Sequence, residues 1–137
     1  MSNKITITAT VNADVKKVWD YYTQPEHIIK WNFADPSWQC PSASNDMHIG
    51  GRYSARMEAK DGSFGFEFEA IYSEITDGES FTYGIPDGRQ VTVLFKPNGR
   101  KTDVTITFDA EDQNSLEMQK NGWQAILNNF KTYTEAN

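Results

Sequence analysis

The 137 residues fit one domain, long enough to bury a real core. Nineteen acidic residues against 13 basic ones give a net charge of −6, which speaks against nucleic acid or an anionic membrane as the main partner. The single cysteine, Cys40, excludes an intrachain disulfide and a cysteine-based zinc cluster.

In chain order, Ile5, Ile7, Ala9 and Val11 alternate with threonines, the pattern of a half-buried strand. Asn12-Ala13-Asp14 supplies capping side chains for a helix carrying Val15, Val18, Trp19 and Tyr22 at helical spacing. Pro25 suits the first turn of a short second helix through Ile28, Ile29 and Trp31, and places His27 on its exposed face. Residues 32–50, with Pro36, Pro41 and several serines and asparagines, read as irregular.

Asp61-Gly62 is a hairpin signal. Turning there pairs Met57 with Phe66, Ala55 with Phe68 and Tyr53 with Ala70, so the apolar residues share one face. Arg56 and Glu67 meet on the other. Asn98-Gly99 predicts a second hairpin in which Val93 faces Val104 and Val91 faces Ile106. Between them, Phe81 and Tyr83 alternate in a short strand, followed by a turn around Pro86. Asn114 or Ser115 can cap a last helix of about 20 residues with an apolar stripe of Leu116, Trp123, Ile126, Leu127, Phe130 and Tyr133. These pieces assemble as a twisted antiparallel sheet whose apolar face takes the stripe of the long helix.

Several chemistries find no support. Gly50-Gly51-Arg52 lacks the G-x-G-x-x-G spacing and leads into a strand, so it reads as the entrance to a sheet and not a phosphate cradle. Gly99-Arg100-Lys101-Thr102 is accounted for as a hairpin turn. The two histidines, His27 and His48, have no metal-ligand spacing, and neither a metal nor another cofactor is expected. No G-x-S-x-G elbow is present. His48 reads as a surface-loop residue and Cys40 as a packing residue. No basic-plus-apolar leader opens the sequence, and no run nears the roughly 18 apolar residues of a membrane span. Cytoplasmic localisation without membrane insertion is therefore expected.

Taken together, several pieces resemble the activator of Hsp90 ATPase homologue 1-like domain, a branch of the START/polyketide-cyclase/Bet v 1-like superfamily. They are Val18-Trp19, Pro25-Glu26 with Ile29 and Trp31, Asp46-Met47 before Gly50-Gly51-Arg52-Tyr53, Asp61-Gly62, Ala70 through Ile75, and Gly122-Trp123. Two positions depart from the family pattern: His48 stands where an arginine is common, and Ala70 where a glycine is usual. The resemblance implies an α+β helix-grip fold over 1–137 as a single domain. A curved antiparallel sheet of about six to seven strands would wrap a long C-terminal helix, with two short helices after the first strand. It also implies a cavity between helix and sheet.

The aromatic content, 13% of residues, exceeds what a sheet–helix seam needs. The candidate lining residues are Trp31, Trp38, Tyr53, Met57, Phe66, Phe68, Tyr72, Trp123, Leu127 and Phe130. For each one, core packing is the competing use. The expected function is binding of a small hydrophobic, aromatic or lipid-like molecule. The alternatives are an interaction module for an Hsp90-type chaperone and a cyclase or hydrolase acting on a bound ligand. No catalytic constellation is legible, so the reading is a binding module, monomeric or a weak homodimer, and not an enzyme.

Overall fold

The computed structural model describes residues 3–137. β1 (Lys4–Val11) leads into α1 (Val15–Thr23) and α2 (Pro25–Trp31). Six strands follow: β2 (Trp38–Asn45), β3 (Arg52–Ala59), β4 (Gly65–Thr76), β5 (Ser80–Gly84), β6 (Gln90–Asn98) and β7 (Lys101–Asp109). α3 (Leu116–Ala136) closes the chain. All strand pairs are antiparallel, in the order β1-β7-β6-β5-β4-β3-β2. The result is the helix-grip arrangement, a curled seven-stranded sheet around a long helix.

Local chemistry sets the boundaries. The Asp14 carboxylate accepts the Lys17 backbone N–H and starts α1. Ser115 Oγ accepts the Met118 N–H and starts α3, which resolves the choice between Asn114 and Ser115. Pro25 occupies the first turn of α2, where its missing N–H costs nothing.

The first hairpin has the expected register: Tyr53 opposes Ala70, Ala55 opposes Phe68 and Met57 opposes Phe66. Its turn is longer than two residues. The Gly62 N–H reaches the Ala59 carbonyl, and Gly62 alone takes a positive φ, of 78°. The second hairpin corrects the expectation. Val93 opposes Ile106 and Val91 opposes Phe108, two residues away from the pairing expected above. Asn98 pairs with Lys101, so Gly99-Arg100 forms the turn, with Gly99 at φ 63° in its first central position. That is the place a type II′ turn reserves for glycine. A two-residue slip leaves each side chain on its original face, so the core assignment survives.

The larger correction is β2. Residues 38–45 form an edge strand on β3, not irregular chain. Its register shifts between Gln39 and Ser42, which accommodates Pro41. An edge strand with an irregularity is where a sheet tolerates proline.

Gly50 and Gly51 do form the entrance to the sheet. Gly50 N–H donates to the Tyr72 carbonyl, and Tyr72 N–H donates back to Gly51. A Cβ on Gly51 would collide with the Asp46 carbonyl oxygen. The adjoining loop is closed by Asp46 N–H to the Arg52 carbonyl and by a His48–Asp46 side-chain pair.

The core is continuous. From β1, β6 and β7 come Ile5, Ile7, Val91, Val93, Phe95, Val104, Ile106 and Phe108. Val18 and Trp19 of α1 pack onto this side, with the Trp19 ring edge-on to Phe81 and Phe95. α3 adds Leu127 and Phe130, and Trp123 stacks on Phe108 at 4.2 Å between ring centroids. Leu116, placed above in the helix stripe, is exposed because α3 begins beyond the edge of the core. His27 is also corrected. It is half-buried, stacked on Tyr21, and its Nδ1 is 2.8 Å from Tyr133 Oη, which ties α2 to the end of α3.

Candidate functional site

The main strand contact of α3 is β1, at one edge of the sheet. On the other side, where β3, β4 and β5 curl past the helix, a pocket of about 260 Å³ opens. Its walls come from every layer. Tyr22 projects from α1, Trp31 and Asn32 from the end of α2, and Asn45 from the end of β2. The sheet adds Tyr53, Met57, Phe66, Phe68, Tyr72, Phe81, Tyr83 and Ile106. α3 adds Trp123, Ile126 and Leu127, and the β5–β6 loop adds Ile85 and Arg89.

Eight of the ten sequence candidates lie on this wall: Trp31, Tyr53, Met57, Phe66, Phe68, Tyr72, Trp123 and Leu127. Two do not. Phe130 is wholly buried against Tyr22 and Trp31, where it supports the wall from behind. Trp38 lies at the tip of the first hairpin beside Phe64 and Phe66, at centroid distances of 5.9 and 6.3 Å. Phe64 and Phe66 are 60% and 42% exposed, so their apolar face runs past the helix into solvent.

Sequence reading did not assign Tyr22, Asn32, Asn45, Phe81, Tyr83, Ile85, Arg89, Ile106 and Ile126 to the wall. Tyr22 and Tyr83 carried a signal: each is an aromatic on the core face of its element that also bears a hydroxyl. Asn32, Asn45 and Arg89 lie in or beside segments read as loop, where no periodicity assigns a face.

Polar groups on the wall are specifically held. The Tyr72 hydroxyl donates to Asn45 Oδ1 at 2.7 Å, and Asn45 Nδ2 donates to the Thr23 carbonyl at 2.7 Å. β4, β2 and the end of α1 are thereby joined by one amide. Asn32 Nδ2 lies 3.3 Å from Tyr53 Oη and 3.4 Å from Met57 Sδ. Burial pushes the hydroxyls of Tyr22, Tyr53, Tyr72 and Tyr83 above the ordinary tyrosine pKa, so all four stay protonated at neutral pH. Burial also pushes the Cys40 thiol up, against nucleophilic use.

Among the described residues, Arg89 is the one charged side chain on the wall. Its Nε donates to Asp87 Oδ2 at 2.7 Å, and its backbone N–H and guanidinium hold Asp87 below the usual carboxylate range. His48 is not on the wall and its side chain is largely exposed. Among the described residues no three His, Cys, Asp or Glu side chains converge as metal ligands. No described helix is long and apolar enough to cross a membrane. A shallower groove lies on the outer face of α3, between residues 33–36 and Ala125, Asn128, Asn129 and Thr132. Its wall mixes Phe33, Pro36 and two alanines with Asp35, Asn128, Asn129 and Thr132.

Comparison with known proteins places this geometry. The chain is similar to an AHSA1-like protein from Aeromonas hydrophila, with 37% identity and a TM-score of 0.92 over 98% of this chain and 93% of that one. It is 45% identical to a protein from Cytophaga hutchinsonii, with a TM-score of 0.84 over 97% and 92% of the two chains. A protein from Chromobacterium violaceum shares the fold at 22% identity, with a TM-score of 0.85 over 97% of each chain. A comparison with curated proteins gives no match. The family model described as "Activator of Hsp90 ATPase homolog 1-like protein" matches residues 12–135, and the chain belongs to that family.

Proposed function

We propose that this protein binds a small hydrophobic or aromatic molecule between the sheet and α3. The observation that carries the reading is the composition of the pocket wall. It is built mainly of large apolar side chains, with a few fixed polar groups, the usual make-up of a small-molecule site. A volume of about 260 Å³ lies just under the roughly 300–1,000 Å³ of drug-sized sites, which favours a compact ligand of one to three rings over a long lipid. Burial of its apolar surface would supply most of the affinity, at about 25 cal/mol per Å².

The test is an amide chemical-shift screen with compact aromatics, flavonoids, polyketide-like compounds and short acyl chains. Binding should perturb Trp31, Tyr53, Tyr83 and Trp123 together. A screen in which every class leaves these signals in place would remove the reading.

The family description favours a second reading, contact with an Hsp90-type chaperone. The exposed aromatics Phe64 and Phe66 are the surface to examine first. Stimulation of a chaperone ATPase that is lost in Phe64→Ser would support it. No capture of the chaperone and an unchanged ATPase rate would exclude it.

A further inference from the structure

We propose that Tyr22, Tyr53 and Tyr83 form a cluster of hydroxyl donors that selects a ligand bearing a neutral carbonyl oxygen, an aromatic or alicyclic ketone. This rests on the reading of the pocket as a ligand site.

The argument is an accounting of protons. Four tyrosines line the pocket. The proton of Tyr72 is committed to Asn45 Oδ1. Asn45 cannot turn to release it, because its Nδ2 donates to the Thr23 carbonyl. Tyr53 is different. Asn32 faces both Tyr53 Oη and the Met57 thioether. A thioether only accepts, so the Asn32 edge presented there is the N–H₂. Tyr53 Oη is therefore an acceptor in that bond, and its own proton has no protein acceptor among the described residues.

Tyr22 Oη and Tyr83 Oη have no hydrogen-bond partner among the described residues at all. Thr134 Oγ1 is the one fully buried side-chain oxygen or nitrogen left unpartnered among them. The Tyr22 and Tyr83 hydroxyls therefore border open space, and the space their rings line is the pocket. The Tyr53 and Tyr83 rings stack at 5.9 Å between centroids, and both line the same space as Tyr22.

A ligand that displaces water from this space leaves three O–H donors unmet in an apolar wall, which is costly unless it brings an acceptor. A carbonyl oxygen has two lone pairs and accepts two hydroxyls at once. A hydrocarbon leaves all three unmet. A carboxylate would bring a charge that the neutral hydroxyls do not balance, and the only cation on the wall, Arg89, is already matched by Asp87.

Three shape-matched probes separate the outcomes: 2-acetylnaphthalene, 2-isopropenylnaphthalene and 2-naphthoate. The ketone and the alkene differ only in C=O against C=CH₂. Calorimetric titration of the wild-type protein should give the ketone about tenfold tighter binding than the alkene. Tyr53→Phe and Tyr83→Phe, which keep the rings, should each shrink that ratio, and the bound ketone's carbonyl stretch should move back toward its free value. Equal affinity for ketone and alkene overturns the proposal and leaves the binding reading intact. Tighter binding of the naphthoate also overturns it and transfers selection to Arg89. No binding of any probe, with no shift in the pocket amides, also overturns this proposal, and the binding reading falls with it only when the wider screen above is silent too.

Discussion

The two ends of the sheet present the same kind of concave face and use it differently. Across β1, β7 and β6, the inward residues are mostly β-branched aliphatics and phenylalanines, and nearly all are fully buried. α1 and α3 cover them, with Trp19 and Trp123 as lids. Across β3, β4 and β5, the inward residues are Ala55 and Ala70, which leave room, and the large side chains of Tyr53, Met57, Phe66, Phe68, Tyr72, Phe81 and Tyr83. The aromatic side chains here include three that carry hydroxyls, and the helix does not fill the space above them. One end is a core, and the other is a pocket wall. Long side chains around a gap leave the gap shaped and partly polar, whereas short branched ones on a covered strand close it.

Substitutions can break this contrast. The largest effect is expected from Phe108→Ala, which removes a buried ring from under Trp123 and should cost about 3–5 kcal/mol in a denaturant titration. Phe68→Ala on the open side should cost less than half of that, because the ring is only half-buried beside space that already exists. Equal losses would mean that the pocket is as tightly packed as the core.

Gly51→Ala should cost about 1–3 kcal/mol, since the added methyl meets the Asp46 backbone and a backbone carbonyl cannot step aside. Thermal unfolding would measure it. Tyr72→Phe should cost about 1 kcal/mol by leaving Asn45 Oδ1 unpaired at the pocket, and Asn45→Ala should cost more, because it also takes the donor from the Thr23 carbonyl.

Smaller effects come from titration. The Lys4 ammonium and the Gln90 N–H hold Asp109 below the usual carboxylate range where β1, β7 and β6 meet. A depressed folded pKa gives stability that is present above the unfolded value, about 3.9, and is lost as pH falls through the folded value. Melting temperature should therefore drop on acidification below about pH 4, less steeply in Asp109→Asn. The pocket tyrosines act in the opposite direction. Their raised pKa values mean that stability falls as pH rises past about 10, where unfolded tyrosines ionise. Absorbance at the tyrosinate band should show the pocket hydroxyls ionising only with unfolding. The smallest effect is expected at Phe64→Ser, within about 0.5 kcal/mol, because the side chain faces solvent.

Much of the fold was legible along the chain. Alternation in residues 53–70 gave both faces of the first hairpin, because a period of two leaves one consistent register. Asn98-Gly99 misled by two residues, since turn type is set by which residue must take a positive φ, and both neighbours of the true turn suit a hairpin. Trp38–Asn45 was illegible: Pro41, serines and an asparagine carry no strand pattern, and only pairing to β3 makes the segment a strand.

By itself, then, the sequence determined which side chains of the strands with clear alternation point inward, because facing is a property of local periodicity. It also determined the family, through the order of short motifs. Only the tertiary structure decided which of the inward residues meet a partner. Phe130 and Phe68 read alike in the sequence, but one is sealed against Tyr22 and Trp31 and the other lines open space. Whether a face is filled depends on where α3 lies across a curling sheet, and that is fixed by contacts between residues distant along the chain.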